Sequence, residues 1–257
     1  MNSEENIVKT ADFADISAGM FTDIVFPEKN ENEFFDMAEK MSITKLCFLY
    51  SAKKFTIFSN TEKEKFQKEA KAKGITLLFG ILADDWKAFD KIKKEEYVFA
   101  VSKPTGTFSS TPLEEVLKKR KLDSVFGLES LERKDSLHYR RSGLNQVLCN
   151  IAKSSNVSIA FSFSEILSIS GMLRSQLFGR INQNIMLCRK YKVPMLIASF
   201  ASSPYQMRTH HDLANFFSVL GMTAGEAIEA SEKASKLIIQ NMKKSNPHYI
   251  SEEIEIV

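Results

Sequence analysis

The sequence predicts an α/β fold built on a parallel sheet, and two observations carry that prediction. Segments of strand character alternate with segments of helical periodicity along the chain. Several strand segments, such as residues 45–50 and 75–82, are nearly continuous apolar runs, as expected of strands buried on both faces. About seven such strands fit either a closed barrel or an open doubly wound sheet, and the pattern alone leaves the two open. No Pro-, Gly- or Ser-rich linker divides the 257 residues. One domain is therefore expected over residues 19–245, after a flexible leader at 1–18 and before a C-terminal tail at 246–257.

Residues 21–26 read as the first strand, stopped by Pro27. Residues 30–41 read as a helix with apolar Phe34, Phe35, Met37, Ala38 and Met41, and residues 45–50 as the second strand. Thr61-Glu-Lys-Glu64 has the pattern of a capping box opening a helix that Gly74 closes. Residues 75–82 and 97–102 are the third and fourth strands. Thr111-Pro-Leu-Glu114 combines an N-cap, a proline at the first helical position and a reciprocal glutamate. Residues 124–128, 157–163 and 194–200 complete the strands, with long helices after the last two. Thr223-Ala-Gly-Glu226 is a further capping box, starting the final helix. In the helix expected at 171–192, Leu173, Leu177, Ile181, Ile185 and Cys188 form the core stripe. Arg180, Gln183 and Asn184 share another face, which is either a contact surface or an inward polar network.

A hydrophobic fraction of 44% is ample for a core, while a net charge of +3 is below that of a self-sufficient nucleic-acid binder. Such a charge fits a protein that shares an RNA surface with others, or one with no nucleic-acid role. Cys47, Cys149 and Cys188 are odd in number and widely spaced, suggesting neither a disulfide framework nor a zinc site. A reducing, cytoplasmic setting is expected. Met1-Asn-Ser-Glu-Glu-Asn is acidic with no apolar stretch after it, so no secretory signal is read. Runs such as 193–201 are too short to span a bilayer, and no membrane partner is expected.

The most informative stretch is residues 132–148. Leu144, Val147, Leu148 and Ile151 fall at i, i+3, i+4 and i+7 and predict the core face of a helix. Arg133, Lys134, His138, Arg140, Arg141, Asn145 and Gln146 are then held at a loop–helix junction. Free N–H groups and the helix dipole favour an anion there, and cations with amides suit phosphate and sugar contacts. A solvated face with a capped helix is an equally good reading of the same residues. The run Lys118-Lys-Arg-Lys121 reads as a favourable helix C-terminus rather than a phosphate contact.

In a barrel, productive positions follow the strand C-termini. They hold Pro27, Glu28, residues 51–54, Asp84, Asp85, Lys103, and residues 129–134, 162–165 and 199–203. This set is rich in Ser and Lys and poor in His. A metal hydrolase wants several His and carboxylate ligands, a count that a residual set of Asp84, Glu129 and His138 does not reach. Neighbouring His210 and His211 project about 100° apart on a helix and do not easily chelate one ion. Gly-x-Ser-x-Gly is absent, and Gly221 and Gly225 form no dinucleotide fingerprint. No catalytic residue, metal ligand or bound cofactor is expected of this chain.

Four ordered segments carry a family resemblance. They are Lys134-Asp-Ser-Leu-His-Tyr-Arg-Arg-Ser-Gly-Leu-Asn145, followed by a helix and Val157-Ser-Ile-Ala-Phe-Ser162; Arg180-Ile-Asn-Gln-Asn-Ile-Met-Leu-Cys-Arg-Lys-Tyr-Lys-Val-Pro194; the small-residue turn at 199–203; and Arg208-Thr-His-His-Asp-Leu213 with Leu220-Gly-Met-Thr-Ala-Gly-Glu-Ala227. Together they resemble the ribonuclease P protein component 3 family, the archaeal and eukaryal TIM-barrel-like protein subunit. The likeness is strong from about residue 123 to 240 and rests on element order alone over residues 1–120.

The resemblance implies a single TIM-like barrel, related in fold to metal-dependent phosphoesterases that carry His-x-His after the first strand. This chain has no His-x-His. It further implies a non-catalytic subunit of the ribonucleoprotein that removes the 5′ leader from precursor tRNA, the RNA subunit hydrolysing the phosphodiester with bound magnesium. The implied partners are the ribonuclease P RNA, protein component 2 and the other protein subunits, with precursor tRNA as substrate of the whole. On that footing, contacts with RNA or a partner are expected from Arg133, Lys134, His138, Arg140, Arg141, Asn145, Arg180, Asn184 and Arg208. Asp135, Ser136, Ser142 and Asp212 are expected to orient those groups or cap helices. Two rivals stand beside it: a metal-dependent phosphoesterase on the same barrel, and a scaffold whose basic junction binds an acidic protein.

Overall fold

The computed structural model describes residues 21–104, 112–119, 121–132, 134–245, 249–251 and 254–255. The expected leader at 1–18, Thr111 of the expected cap, Arg120 of the basic run and Arg133 lie outside the described residues. Seven strands follow one another around the sheet in chain order: β1 (Asp23–Val25), β2 (Lys45–Ser51), β3 (Thr76–Leu82), β4 (Phe99–Ser102), β5 (Ser124–Phe126), β6 (Ser158–Ser162) and β7 (Met195–Ala198). Each pairs in parallel with the next. The end of β1 meets the chain just after β7 through one parallel bridge, Val25 to Ala201, and Phe26 N–H donates to the Ala201 carbonyl at 2.7 Å. The sheet is thus a seven-stranded TIM-like barrel, nearly closed, with the β7–β1 seam as its thinnest pairing.

A side chain supplements that seam. Asp23 Oδ1 accepts from Ser199 N–H at 2.8 Å and from Ile24 N–H at 3.0 Å. Burial pushes the Asp23 carboxyl up to about 7, a desolvation effect that the Ser199 and Ile24 amides only partly offset.

The strands are joined by α1 (Glu31–Lys40), then α2 (Ala52–Ile57) and α3 (Asn60–Ala72), α4 (Trp86–Phe89), α5 (Leu113–Leu117), α6 (Gln146–Ser154), and α7 (Phe163–Ser168) with α8 (Gly171–Tyr191). After β7 come α9 (His210–Val219) and α10 (Ala224–Ser245). A short antiparallel ribbon, β8 (Tyr249–Ser251) and β9 (Ile254–Glu255), falls within the expected tail. No helix among the described residues is long and apolar enough to cross a membrane.

Several local expectations need correction. The capping box of α3 is Ser59 with Glu62, not Thr61 with Glu64: Glu62 N–H donates to Ser59 Oγ, and Ser59 N–H to Glu62 Oε2. The earlier serine wins because the helix already starts at Asn60. The helix at Leu113–Leu117 follows Pro112 without a side-chain cap. The box at Thr223 and Glu226 forms as expected. The one-turn helices α2, α4 and α7 begin within one to four residues of a strand and were invisible to periodicity, since a single turn repeats nothing. Of the basic run, Lys121 Nζ donates to the Asp90 and Ile92 carbonyls and Lys119 pairs with Asp90, so this run fastens a loop.

Strand alternation divides the core in two. Leu46, Phe48 and Tyr50 of β2, with Leu77, Phe79 and Ile81 of β3, face the surrounding helices. Cys47, Leu49, Leu78, Phe99, Val101, Phe126, Ala160, Leu196 and Ala198 fill the barrel interior. At Gly80 a Cβ would meet Leu49 and the Phe99 carbonyl inside that interior, so no larger residue fits there. Among the described helix residues, Ala234, Leu237, Ile238 and Met242 of α10 alone join the interior cluster, with Ile239 packed against it. Polar bonds set α10 across the strand N-termini. Thr22 and Ser235 hydroxyls meet at 2.7 Å, and Asn241 Nδ2 donates to the Val98 carbonyl at 3.0 Å and Asp123 Oδ1 at 2.9 Å. At the opposite mouth Phe126 and Phe200 stack at 4.6 Å and 6°, with Phe26 about equally distant from both. Phe200 takes φ 47° to bring its ring there, a left-handed conformation that costs about 1–3 kcal/mol in a bulky residue.

Candidate nucleic-acid interface at the β5–β7 end of the barrel

The cationic stretch is the connection from β5 to α6, and so lies at the C-terminal end of the barrel, where TIM-like folds build their sites. Two features shape it. Gly143 takes φ 77°, and a Cβ there would overlap the Leu128 carbonyl, so the loop folds back directly on the backbone that follows β5. Arg180 reaches out from α8 beneath it and is only 5% exposed. Its Nη1 donates to the Glu129 and Glu132 carbonyls, and its Nε to Asp135 Oδ1 at 2.7 Å. One turn on, Asn184 Nδ2 donates to the Ser142 carbonyl at 2.8 Å. Two buried side chains spaced i, i+4 on one helix thus hold both ends of the loop.

Arg180 and Asn184 therefore do not face RNA or a partner directly. They form the inward polar network, and the groups they satisfy belong to the loop rather than to strand ends. Asp135 accepts from Arg141 N–H as well as from Arg180. Partial burial works against its charge, but the Arg141 amide and the Arg180 guanidinium together hold Asp135 below the usual carboxylate range. Ser136 accepts from Arg141 Nε at 3.0 Å, and Arg141 Nη1 also faces Glu132 at 3.4 Å. Arg141 is exposed yet occupied by the loop itself. Ser142 contributes its carbonyl rather than its hydroxyl. Asn145 is an N-cap: its Oδ1 accepts from Leu148 N–H at 2.9 Å and starts α6.

Core faces shift in two places. Val147 is exposed while Leu144 and Leu148 are buried, because α6 starts at Gln146 and only a narrow stripe meets the barrel. Leu173 is exposed because the first turn of α8 projects past the rim, and the stripe begins at Leu177.

Lys134, His138 and Arg140 remain exposed, with the Arg140 guanidinium lying over Gly179 of α8. Leu137 at the loop tip is 92% exposed and Tyr139 63%. Arg208 sits after β7, stacks over the Phe163 ring at 4.8 Å and donates to the Tyr205 and Met207 carbonyls. Asp212 completes the cap of α9, where Thr209 Oγ1 accepts from its amide and donates to its carboxylate.

Serines at or just after strand ends also hold the following segments. Ser51 opens α2, Ser162 opens α7 and Ser199 Oγ accepts from Arg208 N–H. Above the phenylalanine trio, Lys103 pairs with Glu165 and lies over Phe126 at 5.5 Å. Glu129 is buried beside them. Desolvation first, and then Glu165, push its carboxyl up to about 8 against the pull of Lys103. Sequence reasoning did not single out Lys103, Glu165, Tyr139 or Tyr205 as site groups. Position after a strand was the only signal for the first two. Asp84, Glu129 and His138 are not brought together: Asp84 Oδ1 accepts from Ala52 N–H, and no cluster of three His, Cys, Asp or Glu able to hold a metal occurs among the described residues.

Residues 134–246 match the family model described as RNase P subunit p30. Ribonuclease P protein component 3 of Methanosarcina mazei is 33% identical over 118 residues, 46% of this chain and 49% of that protein. The Methanococcus vannielii protein of the same name is 27% identical over 200 residues, 74% of this chain and 81% of its own. The chain spans about half the length of the first curated relatives it matches. A chain in the cryo-EM structure of archaeal ribonuclease P with mature tRNA superposes with a TM-score of 0.70 at 19% identity, over 91% of this chain and 98% of that one, a likeness of fold. The matched residues take in the pinned loop, both helix-borne side chains that pin it and Arg208, and over that stretch the chain is similar to the ribonuclease P protein component 3 family.

Proposed function

We propose that this chain is a protein subunit of ribonuclease P and supports RNA-catalysed removal of the 5′ leader from precursor tRNA. The observation that carries the reading is the family match over residues 134–246, which spans the exposed cations of the β5–α6 loop and the network holding them. In this role Lys134, Arg140 and Arg208 lower the repulsion between packed RNA phosphates, an effect that weakens with salt. Arg180, Asn184, Asp135 and Ser136 position the loop without touching RNA. The chain itself contributes no catalytic group: its mouth is filled by Phe26, Phe126 and Phe200, and the magnesium of the reaction belongs to the RNA. Its partners are the ribonuclease P RNA, protein component 2 and the other protein subunits, and residues 19–245 act as one barrel domain.

The test is precursor-tRNA cleavage by reconstituted cognate RNA and protein subunits at moderate magnesium, with and without this chain. Omission should slow leader removal, while the chain alone cleaves nothing. Unchanged cleavage on omission, or metal-dependent hydrolysis by the isolated chain, would sink the reading.

A further inference from the structure

Resting on that subunit role, we infer that the rim over β5–β7 receives an unpaired stretch of RNA, with Tyr139 and Tyr205 as base-stacking platforms. Both rings stand on stiff supports. Ser136 N–H donates to the Tyr139 carbonyl, closing a tight turn, and the Tyr139 hydroxyl faces Ser136 and Arg141. Tyr205 is 80% exposed on a turn in which Gln206 Oε1 accepts from the amides of Ser202 and Ser203, and Pro204 is buried beneath. The two turns follow β5 and β7, so they flank the α7–α8 elbow that follows β6. That elbow exposes Leu167, Met172 and Leu173, and α8 carries no Asp or Glu over its 21 residues.

Charge selects the partner. The carboxylates of this rim are already answered: Glu132 by Arg141, Asp135 by Arg180 with Arg140 nearby, Glu165 by Lys103 and Asp212 by the Thr209 hydroxyl, with Glu129 buried. Lys134, Arg140 and Arg208 have no carboxylate within ion-pair distance among the described residues. An uncancelled cationic rim suits a polyanion. A duplex would engage these cations and leave both rings idle, because its bases are stacked on one another. An unpaired segment offers phosphates to the cations and π-faces to the tyrosines.

The experiment uses the full chain and a short single-stranded RNA of mixed sequence, followed by fluorescence anisotropy over a salt series, with the matching duplex as competitor. Tyr139→Ala and Tyr205→Ala should each weaken single-strand binding roughly 5- to 100-fold without altering its salt slope. Tyr139→Phe and Tyr205→Phe should bind like the parent. Arg140→Ala should instead lower the slope by about one. The inference is overturned if the alanine variants bind like the parent, if the duplex competes as well as the single strand, if the parent binds neither, or if the variants lose a protein subunit while RNA binding persists. The reconstituted cleavage assay separates the two ideas. If omitting the chain still slows cleavage while the alanine variants bind normally, only stacking fails. If omission changes nothing, the subunit role itself has failed.

Discussion

The rim after β1–β3 and the rim after β5–β7 are fastened by different means. On the first side the ties are shorter in sequence and lie nearer the surface: Lys53 to Asp85 at 3.0 Å, Lys54 near Glu31, and Asp84 to the Ala52 amide. On the second side they are long-range and buried, with Arg180 and Asn184 reaching 42 to 51 residues back along the chain to backbone carbonyls. Surface pairs gain little because water competes for both partners. A buried guanidinium on carbonyls has no such competitor, and its loss leaves several groups unsatisfied at once. The difference explains how one rim can display cations without collapsing onto its own acids: the acids are held from below.

The sharpest way to break the contrast is Arg180→Met, which leaves Asp135 and two carbonyls stranded. A loss of about 3–5 kcal/mol in urea unfolding is expected, since a buried ionic group is removed from its partners. A loss below about 1 kcal/mol would place the two rims on equal footing. Glu129→Gln tests the second side by pH. Glu129 and Asp23 hold their protons to a higher pH in the fold than in the unfolded chain. The folded state therefore binds more protons between about pH 4 and 8, and stability, full below that window, falls as pH rises through it. Each group contributes at most about 1.4 kcal/mol per pH unit. The Gln variant should lose less stability than the parent between about pH 5 and 8, and parallel curves would refute the buried acid.

Smaller effects sharpen the comparison. Asn145→Ala should cost about 1 kcal/mol through the α6 cap and leave the salt dependence of RNA binding alone. A changed salt slope would restore Asn145 as a contact residue. Lys53→Ala should cost under about 1 kcal/mol, as an exposed pair does, and a larger loss would show the first rim to be tied more tightly than its geometry indicates.

The parallel sheet was legible because its signals are dense, whereas its closure into a barrel came from the family resemblance alone. Apolar runs such as residues 45–50 and 75–82 repeat strand after strand, and parallel burial leaves few other readings. The position of the basic loop after β5 was also legible. The roles of Arg180 and Asn184 were not. Spacing showed that they share a helix face, but only packing decides whether that face meets water or the backbone of a loop some 40 residues earlier. Asn145 and Ser59 mark a similar limit: a capping side chain and a contact side chain look alike until the helix start is known. Val147 and Leu173 misled because apolar periodicity overruns the ends of a helix into turns that project from the core.

The last long helix carries a consequence for how the molecule comes into being. Ser235 meets Thr22 across 213 residues, and Leu237, Ile238 and Met242 supply the floor of the barrel. During synthesis these residues leave the ribosome after all seven strands of the barrel. The interior of the barrel therefore stays open to water until translation has passed α10, and the nascent strands spend that time with apolar inner faces uncovered. Their protection in the cell falls to chaperones or to speed of synthesis rather than to early folding of a stable N-terminal half.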